Sequence, residues 1–361
     1  MKILVIVTSR FGYDGISNVA TNYYTYMEHS RVQIDFVTIN EIPYKLSTLL
    51  DKNGDTHYVL PMRNKNPLIY FLNLIKIIRK NKYNIVHIHG NSNTMFLELW
   101  AAKLAGARVR IPHSHNTKCD HQIINKLLKP FFKMAYTYGF ACGKEAGEWL
   151  FPKDSFKIIP NGIDLERFKF NKEKRESLRK HMQLQDRLVV GHVGRFSLQK
   201  NHEKLLKIFK TLKEKLPNVT LLLWGEGELL ESSKQMAKEI GGDIRFMGTT
   251  NKVEEALSIV DIIVFPSLFE GLPLFLVEAQ AMGVNCIVSD KVSPMAKLTD
   301  YFIFHPLNDS NVKWSESIIE ICKKYNSERN STLAHKCIAN AGYNIRENCN
   351  NLLDIYKSLI K

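Results

Sequence analysis

The chain has 361 residues, 45% of them hydrophobic and 24% charged. That balance excludes a wholly disordered, collagen-like or coiled-coil polypeptide, and the length suits two domains of roughly 150–200 residues each. The formal net charge is +14, and the excess is local: residues 63–133 hold 13 basic side chains against Glu98 and Asp120. Such a field attracts phosphates, an anionic lipid surface or nucleic acid.

Met1–Val7 opens the chain with a short apolar run that Thr8-Ser9-Arg10 ends at once. It reads as the first strand of a cytosolic protein and not as a signal peptide. The longest apolar runs, Ile3–Val7 and Leu221–Trp224 among them, fall far short of the roughly 20 residues of a membrane span. The six cysteines, Cys119, Cys142, Cys286, Cys322, Cys337 and Cys349, form no C-x-x-C pair and no zinc spacing, so six reduced thiols are expected.

The next predicted strands are Gln33–Val37, Ile85–His89 and Arg108–Pro112, with a helix over Pro67–Lys80. A second series follows: strands Leu188–Val193, Val219–Trp224, Asp261–Phe265 and Asn285–Ser289, with helices over Glu203–Lys215 and Leu229–Ile240. Continuous apolar strands alternating with amphipathic helices mean parallel sheets covered on both faces. The rhythm breaks over 160–187, which places a domain junction there: residues 1–165 in one doubly wound domain, 166–361 in another. The stretch from about 310 to 361 reads as helical. Ligands of such sheets bind outside the carboxyl ends of the strands, so the loops after the strands are the candidate sites.

Four loops carry candidate chemistry. Ser9–Asn18 brings Gly15 to a helix start, where free N–H groups can meet an anion; it is not a G-x-G-x-x-G loop. Arg110-Ile111-Pro112-His113-Ser114-His115 ends a strand with a His pair at i, i+2, on one side of it. No third metal ligand is apparent, so one histidine is read as a polar contact to substrate. Gly194-Arg195-Phe196-Ser197-Leu198-Gln199-Lys200 follows another strand, and a guanidinium with an ammonium at that spot suits a diphosphate. Finally, Glu270 precedes Gly271-Leu272-Pro273, Pro273 suits a helix start, and the open amides of Leu274 and Phe275 form an anion site. Glu278 lies one turn further on, so two carboxylates can accept from sugar hydroxyls around that site. There is no Asp-x-Asp for a nucleotide-bound metal and no P-loop.

These residues resemble glycosyltransferase family 4, retaining enzymes of the GT-B fold, over nearly the whole chain. The second half is most specific: Gly194-Arg195…Lys200-Asn201, Leu221–Gly227, Phe246-Met247-Gly248, and Glu270…Glu278, which is similar to the family's E-x7-E signature. His113-Ser114-His115-Asn116 is similar to the capsule and exopolysaccharide branches. The resemblance implies an α/β GT-B protein: two Rossmann-like domains facing across a cleft, 1–165 binding the acceptor and 166–361 binding a nucleotide sugar and ending in a helical region. It implies that Arg195 and Lys200 hold the donor diphosphate, Glu278 the ribose and Glu270 the donor sugar. The amides of Leu274, Phe275 and Gly15 cap phosphate, and the backbone near Met247 reads the base. His115 lies at the anomeric centre, with His113 as its rival. Where the family often has Gly-Gly in the first loop, this chain has Asp14-Gly15, and Asp14 can repel a phosphate.

The implied reaction moves a sugar, with retention, from a nucleotide diphosphate (a UDP-sugar by branch) to a lipid-linked or glycan acceptor, with no metal or other cofactor. A second feature bears on the partner. His121–Ala135 carries Ile123, Ile124, Leu127, Leu128, Phe131 and Phe132 with Lys126, Lys129 and Lys133, around Pro130. It is similar to an interfacial helix on an anionic membrane, which predicts a peripheral enzyme at the inner face of the cell membrane. The alternatives are a nucleotide-sugar epimerase of the same fold, an inactive nucleotide-sugar sensor, and a basic nucleic-acid-binding protein. The aromatics of 63–133 lie in apolar helical patterns and not in exposed ladders, so no nucleic acid is expected.

Overall fold

A computed structural model describes residues 1–12, 15–117, 119, 121–324 and 329–361. Internal contacts divide the chain into two units, Met1–Gly162 with Gly342–Lys361, and Ile163–Ala341.

In the first unit the strands are β1 (Lys2–Val7), β2 (Gln33–Thr38), β3 (His57–Val59), β4 (Ile85–Gly90), β5 (Val109–Ser114), β6 (Gly139–Ala141) and β7 (Phe156–Ile158). They form one parallel sheet in the order β3-β2-β1-β4-β5-β6-β7. Its helices are α1 (Gly15–Tyr26), α2 (Tyr44–Asn53), α3 (Pro67–Asn81), α4 (Phe96–Leu104), α5 (Gln122–Lys133) and α6 (Lys144–Leu150). Side chains alternate across the sheet. Leu4, Ile6, Val86 and Ile88 pack with Leu74 and Ile78 of α3 and Leu99 of α4. Ile3 and Val5 face the other way, toward Tyr23 and Tyr24 of α1.

The second unit repeats the plan with β8 (Leu188–Val193), β9 (Val219–Trp224), β10 (Asp243–Gly248), β11 (Ile262–Phe265), β12 (Asn285–Ser289) and β13 (Phe302–His305). The order is β10-β9-β8-β11-β12-β13, all parallel. Its helices are α7 (Lys172–His181), α8 (His202–Lys215), α9 (Leu230–Ile240), α10 (Val253–Ile259), α11 (Leu274–Ala281), α12 (Asn311–Lys324) and α13 (Ser331–Asn340). Val190, Leu221, Leu223 and Val264 meet Phe209 of α8 and Trp314 of α12 in its core.

Two features differ from expectation. The last helix, α14 (Ile345–Ile360), does not close the second domain: residues 342–361 belong to the first unit. There Cys349 of α14 contacts Tyr23 O, and Leu352 and Tyr356 share the face of Ile3 and Val5. Its apolar stripe looks the same in sequence whichever sheet it covers. The five strands absent from the prediction are β3, β6, β7, β10 and β13. Four of these are sheet edges, where one flank is left to solvent or loop and the apolar run is correspondingly shorter.

The charged stretch also resolves. Glu98 is fully buried and paired with Arg63 at 2.9 Å. Around α5, Ile123 and Leu127 stay 77% and 68% exposed, and Lys126, Lys129 and Lys133 are exposed beside them. The helix rests on the core through Asn125 and Phe132, so its apolar tips are not consumed by packing.

Candidate active site

Strand order in the second unit reverses between β8 and β11. Loops leaving the carboxyl ends of two such strands diverge and leave room for a ligand. Of the residues predicted to hold the donor, Arg195, Lys200, Glu270, Leu274, Phe275 and Glu278 lie on these two loops and on the helix that follows the second; Met247 is on β10 and Gly15 on the first unit.

The β8 loop turns through a 3-10 segment, Leu198–Lys200, and ends at Asn201 in the left-handed region, a conformation asparagine tolerates. Asn201 also caps α8 at Lys204 N–H. Three hydrogen bonds tie this loop to the β11 loop: Leu268 N–H to Gln199 O at 2.8 Å, Gln199 Nε2 to Phe269 O at 3.0 Å, and Asn201 Nδ2 to Pro266 O at 3.1 Å. The result is an ion pair, Lys200 Nζ to Glu270 Oε1 at 2.7 Å, with the ammonium 4.6 Å over the Phe265 ring. Glu270 is held in turn by Ser293 N–H to its carbonyl at 2.9 Å. Gly225 and Gly227, both at positive φ, let the β9 loop run against this turn; a Cβ on Gly225 would stand 2.0 Å from Gly194 O.

Arg195 is placed differently from Lys200. Its guanidinium is largely in solvent and pairs with Glu228 at 3.1 Å, on the β9 side of the turn. Leu274 and Phe275 open α11 as expected, and no side chain caps that start. Glu278, on α11, is held above the usual carboxylate range, at about 8, because burial outweighs the pull of Arg167 and Glu254 adds to the rise. Arg167 itself is engaged by Glu254 at 2.7 Å. Met247 sits where the β10–β9 register skips a residue, between the Phe246–Leu223 and Gly248–Trp224 pairs, which leaves its backbone out of the ladder.

In the first unit Gly15 is the first residue of α1, with nothing within 4 Å of where a Cβ would stand. Asp14 lies outside the described residues. The histidines form a larger cluster than the sequence suggested. β4 and β5 pair with His89 opposite His113, so alternation puts His87, His89, His113 and His115 on one face. Across the strands, His87 Nε2 meets His113 Nδ1 at 3.2 Å and His89 Nδ1 meets His115 Nε2 at 2.9 Å. Along the strands the rings stack, with centroids 4.4 Å apart for His87–His89 and 4.2 Å for His113–His115. Tyr356 OH, from α14, lies 2.5 Å from His87 Nδ1.

Burial keeps all four imidazoles neutral: it pushes His89 down to about 3 and the others well below their ordinary value. His113 Nε2 and His115 Nδ1 are buried without a hydrogen-bond partner. His115 stands at the carboxyl end of β5 and is half-buried, whereas His113 lies inside the strand. Nitrogens of His87, His89 and His113 fall within 4.8 Å of one another, a spacing that suits a metal ion. The nitrogens of each cross-strand pair, however, point at one another and not at a common centre. H-x-H at the ends of two successive strands was the available signal for this cluster; Tyr356, some 270 residues away, had none.

Known proteins share this architecture. The crystal structure of HepE from Anabaena in complex with UDP matches with a TM-score of 0.78, at 17% identity, over 99% of this chain and 100% of that one. The fold is therefore that of a GT-B glycosyltransferase. The profile of Glycosyltransferase Family 4 matches residues 13–167, and that of Glycosyl transferases group 1 matches residues 173–341. EpsF of Bacillus subtilis (strain 168), itself assigned as a glycosyltransferase, is 33% identical over 98% of this chain and 96% of its own length. A UDP-Gal:alpha-D-GlcNAc-diphosphoundecaprenol alpha-1,3-galactosyltransferase of Escherichia coli is 28% identical over 76% of each chain. The chain belongs to glycosyltransferase family 4, in the exopolysaccharide and capsule branch, and is a glycosyltransferase of polysaccharide biosynthesis.

Proposed function

We propose that this enzyme transfers a sugar, with retention of anomeric configuration, from a UDP-sugar to a hydroxyl of a lipid-linked glycan. The observation that carries the reading is the Lys200–Glu270 pair at the strand reversal, four residues ahead of the uncapped start of α11. A cation and open amides suit a diphosphate, and a carboxylate beside them suits the sugar it carries. The donor and acceptor named for the Escherichia coli relative, and the UDP in the HepE complex, support the choice of substrates.

In this reading Lys200 and the Leu274 and Phe275 amides meet the diphosphate, and Arg195 joins them by leaving Glu228. Glu270 contacts the donor sugar, Glu278 the ribose, and the unpaired backbone at Met247 the base. On the first unit, His115 is assigned to the acceptor side of the reaction and the Gly15 amide to a phosphate contact. The bond from the anomeric carbon to the diphosphate breaks, the acceptor oxygen bonds that carbon on the same face, and the acceptor proton passes to the leaving phosphate. No metal is required by this set of residues. The exposed apolar and lysine face of α5 would rest on anionic lipid at the inner face of the membrane; among the described residues no helix is long and apolar enough to cross one.

Radiolabelled UDP-sugars, offered with and without bacterial lipid-linked acceptors, test the reaction. Label moving to lipid with retained configuration is expected. A free epimer of the donor sugar, or no turnover with any UDP-sugar, would count against it. Donor binding gives a second check. An ionised Glu278 accepts from ribose better than a protonated one, so UDP affinity should rise several-fold from pH 7 to 8.5. Glu278→Ala should abolish this binding and Lys126→Ala should leave it intact; equal affinity in the two variants removes the ribose assignment.

A further inference from the structure

The second unit carries a cationic cleft at the end of its sheet opposite the donor loops. Leu188 and Asn285 open β8 and β12, Asp261 leads into β11 and Tyr301 precedes β13, so these lining residues stand at the amino ends of the strands. The cleft holds about 1050 Å³, room for a small-molecule ligand. Five cations border it, Lys172, Arg175, Arg179, Arg187 and Arg329, against two carboxylates, Asp261 and the exposed Glu176.

The guanidiniums are fixed from behind by the end of α10. Leu257 O accepts from Arg329 at 2.9 Å, Ser258 O from Arg175 at 2.6 Å and Ile259 O from Arg179 at 2.8 Å. Asp261 accepts from Arg175 and, at 3.1 Å, from Arg179. One carboxylate and the partial charge of a helix end do not balance three guanidiniums. Burial and the neighbouring Arg175 push Arg329 down to about 9, against the pull of Asp261. Toward described partners Arg329 donates two N–H groups and Arg187 two, so each fork keeps donors for a ligand. Helix capping also leaves a second fact unexplained. Asn285 is 8% exposed and borders the cleft, yet its amide oxygen has no hydrogen-bond partner among the described residues. An unmet buried acceptor costs free energy, and a ligand hydroxyl would satisfy it.

We infer that this cleft binds a small phosphorylated polyol, a sugar phosphate, with its phosphate on the arginines and a hydroxyl on Asn285. Planar guanidiniums hold phosphate by paired N–H groups. A neutral sugar offers them nothing, and bare phosphate leaves Asn285 unmet. The site is separate from the donor loops, since the six residues of β8 lie between them, roughly 20 Å at 3.3 Å per residue. It does not depend on the donor or acceptor proposed above.

The full chain is titrated calorimetrically with glucose 1-phosphate, glucose 6-phosphate, inorganic phosphate and glucose. Saturable binding of a sugar phosphate is expected, at least tenfold tighter than inorganic phosphate, with no heat from glucose. Equal affinity for sugar phosphate and inorganic phosphate marks an adventitious ion only and overturns the inference, as does silence to both sugar phosphates. Arg329→Gln should abolish binding, with thermal unfolding followed because Arg329 also caps α10. Lys172→Glu keeps the test independent of folding: it lies exposed at the start of α7, where an acidic side chain suits the helix, and it should weaken binding at least fivefold. Lys200→Ala, at the donor loops, should leave sugar-phosphate binding unchanged. Binding lost in Lys200→Ala and kept in Lys172→Glu puts the ligand at the donor loops and defeats the inference.

Discussion

Lys200→Ala is expected to lower kcat for sugar transfer at least a hundredfold in a protein that still folds. As the glycosyl–phosphate bond breaks, negative charge grows on the diphosphate. A preorganised donor or cation aimed at such charge contributes about 10²–10³ in rate. Lys200 is preorganised by position: three hydrogen bonds lock its loop to the β11 loop, and Glu270 fixes its ammonium. The competing view is that the lysine serves only to neutralise Glu270, a largely buried carboxylate that would cost stability if left alone. The double variant Lys200→Ala/Glu270→Gln separates the two. Thermal unfolding should show stability recovered relative to Lys200→Ala, while transfer falls at least tenfold below that of Glu270→Gln alone. Activity in Lys200→Ala within about threefold of the parent would remove the lysine from the reaction.

Acid should destabilise the first unit steeply. In the unfolded chain a histidine takes up its proton near pH 6.5, whereas in the fold His89 resists to about pH 3 and His87, His113 and His115 also stay neutral well below 6.5. Below pH 6.5 the unfolded state therefore binds more protons, and stability falls as pH falls; above it neither state binds and the effect is flat. Each such group contributes roughly 1.4 kcal/mol per pH unit. Four together make the fall steep beside a total domain stability of about 5–15 kcal/mol. Glu278, in the second unit, works in the opposite sense: its folded pKa of about 8 lies above the ordinary carboxyl value, so its stabilisation is fully present at and below the ordinary carboxyl range, is lost progressively as pH rises from there to about 8, and is flat above it. Denaturant midpoints followed by circular dichroism between pH 7 and 5 measure the balance, and His87→Gln should flatten the slope. A midpoint that does not move over that range would mean the cluster protonates freely in the folded state.

Much of this protein is legible without coordinates, and the boundary of what is legible has a physical cause. The eight strands predicted from β-branched runs all form, because all eight lie inside a sheet with a strand on either side. The Lys200 and Glu270 loops were found because strand–turn–helix punctuation is local: the strand end, the Gly-Leu-Pro turn and the helix start lie within about ten residues. The partner of Arg195 was not, since Glu228 approaches from a different loop.

Local spacing alone thus determined the doubly wound class, the strand–turn–helix loops that carry Lys200 and Glu270, and the cationic stretch; it placed the domain junction at 165, and contacts divide the chain at 162 and again at 342. Tertiary structure decided which sheet the final helix covers, that Lys200 and not Arg195 is clamped to Glu270, and that His87, His89, His113 and His115 form one neutral stack anchored by Tyr356. These depend on which strands lie side by side and on burial from both faces of a sheet, quantities that sum over residues hundreds of positions apart and leave no periodic trace in the chain.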